Sequence, residues 1–173
     1  MTLQDALIAC GAVRFGDFTL ASGAKSPYYV DIKRATSDPR ILRVVGEAMG
    51  RRAAGFDLVA GMELGAVPIA VAAALASGVP YLMVRKQPKG HGTGSRLEGV
   101  HKPGQRVLVV EDVTTTGGSS LQAVEALRAE GLVVETVLTV VDREQGATEA
   151  FAKVGVRLEA LVKASDLLKA APR

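Results

Sequence analysis

Residues 107–120 read V-L-V-V-E-D-V-T-T-T-G-G-S-S: four apolar residues, two adjacent carboxylates, then a run of small hydroxyl and glycine residues. A continuous apolar run bounded by turn residues predicts a strand buried on both faces, and the apolar spacing of S-L-Q-A-V-E-A-L-R-A-E predicts a helix directly after it. On this reading the strand ends on the acid pair Glu111-Asp112. Gly117 and Gly118 let the backbone turn tightly, so the Thr and Ser hydroxyls and the first free N–H groups of the helix make a pocket for an anion such as phosphate. The two carboxylates suit a polyhydroxylated, metal-bound group beside that phosphate, since each accepts hydrogen bonds from a vicinal diol or from metal-bound water. Capping alone produces D-x-T-x-x-G at an ordinary strand–loop–helix joint. It does not explain two like charges at the end of a buried strand, which are costly without a cationic or metal partner.

The chain has 173 residues, the size of one domain with a real core, and its 48% apolar and 23% charged content is that of a globular protein. A net charge of +3 is small, and the cations concentrate only at Arg51-Arg52 and between Arg85 and Lys102. With no Trp and few aromatics, stacking platforms for single-stranded nucleic acid are poorly supplied, and a polyphosphate is the better partner. Cys10 is alone, which excludes an internal disulfide, and with only two His the chain offers no convincing transition-metal set. No signal peptide precedes the first helix and no apolar stretch is long enough for a bilayer, so a cytoplasmic chain with no membrane partner is expected.

Strands and helices alternate. A short amphipathic helix is predicted over 2–12, with Thr2 as N-cap and Asp5 at the capping-box position. Two short strands around a polar turn at 22–27 follow, then a helix from Ser37-Asp38-Pro39 to about Ala54. Strands are predicted at 57–61, 80–85, 107–110, 133–141 and 157–162, with helices at 68–77, after the acid motif, near 147–154 and at 165–168. This is the pattern of an α/β fold, a mostly parallel sheet flanked by helices, in which ligands sit at the carboxyl ends of the strands. No repeat or linker divides the chain.

The strand ends collect the chemistry. Strand 57–61 leads into G-M-E-L-G-A, where Gly61 and Gly65 allow backbone N–H groups to approach an anion. Strand 80–85 leads into R-K-Q-P-K-G-H-G-T-G-S-R, which brings Arg85, Lys86, Lys89 and His91 together beside Pro88 and three glycines. So long a basic loop inside a compact domain reads as a lid over a diphosphate, closing to exclude water while its cations meet the charge of a leaving group. A solvated hairpin tip is the plain alternative. Strand 133–141 leads into D-R-E-Q-G, with Arg143 at its end.

The common phosphate motifs do not fit: G-x-x-x-x-G-K-[ST] is absent, and Gly90, Gly92 and Gly94 miss the G-x-G-x-x-G spacing. Residues 107–119 instead resemble the phosphoribosyl-diphosphate (PRPP) motif of the type I phosphoribosyltransferases. The stretches F-T-L-A-S-G-A-K-S-P-Y-Y-V-D-I-K-R at 18–34, R-K-Q-P-K-G-H-G-T-G-S-R-L-E-G at 85–99, E-D-V-T-T-T-G-G-S at 111–119 and D-R-E-Q-G at 142–146 together resemble, in the same order, the orotate phosphoribosyltransferases of that family. The resemblance implies a single type I domain over 1–173 with a small N-terminal hood contributed mainly by 1–36. It implies transfer of the phosphoribosyl group from PRPP to orotate in pyrimidine biosynthesis, with Mg²⁺ held mainly through PRPP and water. PRPP would be bound by Arg85, Lys86, Lys89, His91, Glu111, Asp112, Val113, Thr114, Thr115, Thr116, Gly117, Gly118 and Ser119, and orotate by Lys25, Thr115 and Arg143. Lys25, Lys89, His91, Glu111 and Asp112 would be catalytic, and Lys86 would act in the neighbouring subunit of a homodimer. Orotate carries a carboxylate that the other bases lack, and the planar donor fork of Arg143 suits it. In some bacterial members the loop matching 61–66 carries a Tyr-Lys pair; here it reads G-M-E-L-G-A, so no cation for diphosphate comes from that loop. A transferase for another nucleobase, or a PRPP-sensing regulator on the same fold, are the alternatives.

Overall fold

The computed structural model describes residues 2–19, 25–88 and 95–170. Helix α1 (Leu3–Ala9) begins with the capping box expected from its sequence: the Thr2 hydroxyl accepts the Asp5 N–H at 3.1 Å and the Asp5 carboxylate accepts the Thr2 N–H at 2.9 Å. It ends at Ala9, earlier than expected, and packs Leu7 into the core. Strands β1 (Val13–Thr19) and β2 (Lys25–Val30) form a separate antiparallel sheet. The turn expected over 22–27 is corrected on one side, because Ser26 and Pro27 lie within β2, where Ser26 stands opposite Phe18 and Tyr28 opposite Phe15. Ser26 and Tyr28 are buried while Lys25 and Pro27 between and before them are exposed, the alternation of a strand with one covered face. A short helix α2 (Ile32–Thr36), not foreseen, follows with the Asp31 carboxylate accepting the Arg34 N–H at 3.3 Å. Helix α3 (Pro39–Ala53) starts as expected, with Asp38 as N-cap and Pro39 in its first turn.

The remaining elements are β3 (Leu58–Met62), α4 (Val67–Ser77), β4 (Tyr81–Val84), β5 (Leu97–Glu98), β6 (Arg106–Thr114), α5 (Gly118–Ala129), β7 (Val133–Asp142), α6 (Ala147–Ala152), β8 (Arg157–Lys163) and α7 (Ala164–Lys169). They build a sheet of order β5-β4-β3-β6-β7-β8, parallel except for β5, which runs antiparallel to β4. β5 has only two residues and no sequence pattern of its own; it pairs with β4, Met83 standing opposite Glu98 and Val84 opposite Leu97.

Strand β6 is the centre of the molecule. Its even-numbered Leu108 and Val110 join a core shared with α1, α2, α3, α4 and α7, and its odd-numbered Val107 and Val109 join a second core with α5 and α6. The strand does not end on the acid pair, as expected from the sequence, but continues through it. Glu111 pairs with Thr139 and Thr114 with Asp142, so the β6–β7 ladder holds the backbone extended to Thr114. The two acids therefore inherit the alternation of the strand and point to opposite sides of the sheet.

Chain order puts β4 on one side of β3 and puts β7 and β8 on the far side of β6. The switch lies between β3 and β6, where α4 and α5 leave the sheet and open a crevice beyond the strand ends. Among the described residues no helix is long and apolar enough to cross a membrane.

Candidate active site at the switch point

Two cavities lie in that crevice and share Glu111 and Ser119 in their walls. The larger, about 360 Å³, is lined by the loop from Val113 to Ser119, with Glu111, Ser120 and Gln122 completing it. Gly117 sits at φ 84°, a left-handed conformation that lets α5 start directly from the loop, and no side chain caps the helix. Its first N–H groups are thus left for an anion, and the helix dipole adds to their pull. The Thr114 hydroxyl is buried without a hydrogen-bond partner among the described residues. Thr116, Gly118 and Ser119 are exposed on the cavity side of the loop. The expected cradle residues 113–119 are thereby brought together around one space.

The smaller cavity, about 170 Å³, lies between the ends of β3 and β6 and is lined by Lys33, Met62, Glu63, Leu64, Gly65, Lys86, Glu111, Asp112 and Ser119. The two acids differ sharply here. Glu111 is only 7% exposed and its carboxylate accepts hydrogen bonds from the Ser120 hydroxyl at 2.7 Å and the Asp112 N–H at 3.1 Å. Burial, reinforced by the neighbouring Asp112 charge, pushes the Glu111 carboxyl up to about 7 against the pull of Ser120. Asp112 turns to the other side of the sheet, where its Oδ2 lies 3.4 Å from Lys33 Nζ and its Oδ1 accepts the Val113 N–H at 2.8 Å.

The end of β7 completes the set. Arg143 donates its N–H to the Thr114 carbonyl at 2.8 Å, which ties the two strand ends together. Its guanidinium lies 4.8 Å over the Tyr28 ring and donates to Ser26 Oγ at 3.2 Å, so the β1–β2 hairpin reaches the strand ends through this side chain. Arg143 Nε is buried and has no partner among the described residues. A planar fork held by one edge, with a donor to spare, can take a carboxylate.

The basic loop is partly accounted for. Arg85 pairs with Glu98 of β5 at 3.3 Å, and its carbonyl accepts Arg96 Nε at 2.9 Å. The Lys86 N–H is fixed on the Glu63 carboxylate at 2.5 Å, while its exposed side chain lines the smaller cavity of its own chain. Lys89 and His91 lie outside the described residues. Lys25, at the start of β2, donates to the Thr19 hydroxyl at 2.8 Å across the hairpin.

A family model for the phosphoribosyl transferase domain matches residues 33–161. The chain is 52% identical over 166 residues to the orotate phosphoribosyltransferase of Methanosarcina mazei, covering 95% of this chain and 89% of that one. To that of Methanoculleus marisnigri it is 56% identical over 164 residues, 94% of each chain. The chain belongs to the orotate phosphoribosyltransferase family. Among solved structures of the family, the Aeropyrum pernix orotate phosphoribosyltransferase superposes with a TM-score of 0.87 at 39% identity, over 98% of this chain and 97% of that one. The Mycobacterium tuberculosis orotate phosphoribosyltransferase in complex with PRPP gives 0.79 at 40% identity, over 95% and 96% of the two chains.

For this family member, sequence reasoning missed Lys33, Ser120, Ser26 and Tyr28. The cost of the paired acids pointed to a cationic neighbour without saying which; Lys33 supplies it from α2, 79 residues before Asp112 in the chain. Ser120 stands one residue beyond the motif, where only the turn of α5 shows that it faces Glu111. Ser26 and Tyr28 become site residues because strand alternation turns both toward Arg143; the expected turn at 22–27 concealed this for Ser26.

Proposed function

We propose that the chain transfers the 5-phosphoribosyl group of PRPP to orotate, giving orotidine 5′-monophosphate and diphosphate in pyrimidine biosynthesis. The observation that carries this reading is the sequence of subsites along one rim. An anion cradle opens α5, two carboxylates precede it, and Arg143 stands at the next strand end with a donor that has no partner among the described residues. The 5-phosphate belongs in the Thr114–Ser119 loop, where backbone N–H groups and hydroxyls meet it. The ribose lies over Glu111 and Asp112, and the diphosphate extends into the smaller cavity. Orotate lies under the hairpin, its carboxylate on Arg143, with Thr115 beside it and Lys25 approaching from the hood.

The residues perform the reaction mainly by alignment. As the anomeric C–O bond breaks and the bond to the base nitrogen forms, positive charge grows on the ribose ring and negative charge on the departing diphosphate. Asp112 and any ionised fraction of Glu111 favour the first electrostatically, while Arg85, Lys86, Lys89 and His91 stabilise the second. Holding base, sugar and leaving group in line contributes a large share of the acceleration, and no covalent nucleophile is needed. Among the described residues no group of three or more His, Cys, Asp or Glu is arranged to hold a metal ion. Mg²⁺ would come with PRPP, as the family resemblance implies, and would neutralise part of the leaving-group charge.

We further infer a homodimer in which Lys86 acts across the interface. Helix α4 has no polar residue from Val67 to Ala76, and Leu75 on its outer face is 84% exposed, an apolar surface that a second copy would cover. The loop that begins α4 also walls the smaller cavity.

The direct test follows the ultraviolet absorbance of orotate with PRPP and Mg²⁺, omitting each in turn. Loss of absorbance only when all are present supports the reading. Consumption of another nucleobase in place of orotate overturns it. For the trans role, Lys86→Ala protein mixed with protein inactivated at Asp112 should regain part of the activity; no recovery assigns Lys86 to its own chain.

A further inference from the structure

The smaller cavity poses a charge problem. If it receives a diphosphate, its walls should be cationic, yet the loop from Met62 to Ala66 contributes only the acid Glu63, and Glu111 and Asp112 add two more carboxyls. Among the described residues the cations lining it are Lys33, from α2, and Lys86, from the basic loop, and the dimer proposed above directs Lys86 to the neighbouring subunit.

Lys33 is placed for more than a surface ion pair. Its Nζ lies 3.4 Å from Asp112 Oδ2, and the two side chains are 66% and 15% exposed. A pair open to water on the lysine side holds loosely, and solvent screens much of its attraction. Its access to the cavity depends on Gly65. A Cβ at that position would collide with the Asp112 carboxylate and stand 3.3 Å from Lys33 Cε. The absence of a side chain at 65 leaves the passage along which the lysine stem reaches Asp112. The peptide Glu63–Leu64 immediately before it is cis.

We propose that Lys33 is a diphosphate-binding residue of this transferase, paired with Asp112 while the cavity is empty and transferred to the diphosphate of PRPP when it fills. The inference rests on the function proposed above and assigns the cation that the 62–66 loop lacks. A diphosphate carries more charge than one carboxylate and offers several acceptor oxygens to the three donors of an ammonium group, so it competes successfully for the lysine. The exchange has a second effect, since it releases Asp112 to accept hydrogen bonds from the ribose hydroxyls. Departure of diphosphate lets the Lys33–Asp112 pair reform.

The test compares two inhibitors that each occupy half of the PRPP site. In Lys33→Ala, with folding checked by thermal melting, the inhibition constant of diphosphate against PRPP should rise by about 10- to 100-fold, the range for losing a charged hydrogen bond, while that of ribose 5-phosphate stays within about twofold. Lys33→Arg should recover most of the diphosphate affinity. An unchanged diphosphate constant overturns the proposal. So does selective loss of ribose 5-phosphate, which would make Lys33 only a support for Asp112, and so does equal loss of both. Calorimetric titration of diphosphate alone into the parent and Lys33→Ala proteins gives the same comparison without turnover. If the parent binds diphosphate through Lys33 but does not consume orotate, the function proposed above fails and the assignment of Lys33 stands.

Discussion

Helices α4 and α5 leave the sheet from neighbouring strands, and neither has a side-chain cap, yet their first turns are built on opposite plans. The loop into α5 carries its own ligands: Thr, Gly and Ser residues in one contiguous run, with N–H groups left open by the left-handed Gly117. The loop into α4 carries one acid and a gap at Gly65, and borrows its cations from α2 and from Lys86 just after β4. A binding site for one phosphate can be written into a single segment, whereas a site for a leaving group is assembled from parts that come together only in the fold. A leaving group has to be gripped and then released, and borrowed, exposed lysines suit release better than a fixed nest of backbone donors.

That contrast is sharpened most by two glycine substitutions that should fail in different ways. Gly65→Ala displaces Asp112 and Lys33, so kcat/KM for PRPP should fall by about 100-fold, the scale for losing a preorganised electrostatic contact, with little change in melting temperature. Gly117→Ala forces a Cβ to 3.0 Å from Phe151 at a φ of 84°, and should cost about 1–2 kcal/mol of stability as well as PRPP affinity. If both variants lose stability equally, the two loops are not built on separate plans.

A smaller effect, confined to the base, is expected at the third strand end. Arg143→Ala should raise KM for orotate by about 10- to 100-fold and leave that for PRPP within about twofold, measured from initial rates. Equal losses for both substrates would remove Arg143 from the base site.

Legibility follows the same division. Elements with a local pattern were readable: the buried run of β6, the capping box of α1, the Asp38-Pro39 start of α3 and the order of strands and helices that makes the sheet parallel. The acid motif and its cradle were readable because they are contiguous. What could not be read depends on long-range pairing. The ladder with β7 carries β6 through Glu111 to Thr114, the hairpin register turns Ser26 and Tyr28 toward Arg143, and β5 exists only because β4 offers it an edge. Lys33 and Asp112 meet through packing of α2 at the β6 end, and no spacing in the chain announces that contact.

The smallest effect concerns the acid on the buried side. The Glu111 carboxyl stands near 7 rather than its ordinary 4.5, so the folded protein binds that proton more tightly than the unfolded chain does. Its contribution is neutral below about pH 4.5; as pH rises toward 7 it becomes a penalty, complete above that range. Glu111→Gln should therefore be more stable than the parent at pH 8 by roughly 1–3 kcal/mol, with the gain shrinking toward zero at pH 5 in matched thermal melts. A gain that does not vary with pH would show that burial of the charge is not its source.

The central claim is that one sugar phosphate lies across both cavities, 5-phosphate at α5 and diphosphate between β3 and β6. The most direct measurement is a crystal structure of the protein with PRPP and Mg²⁺. The account places the 5-phosphate on the N–H groups of 116–119, the ribose hydroxyls beside Glu111 and Asp112, and the diphosphate against Lys33. A 5-phosphate bound elsewhere, with the α5 cradle empty and the Lys33–Asp112 pair intact, would contradict it.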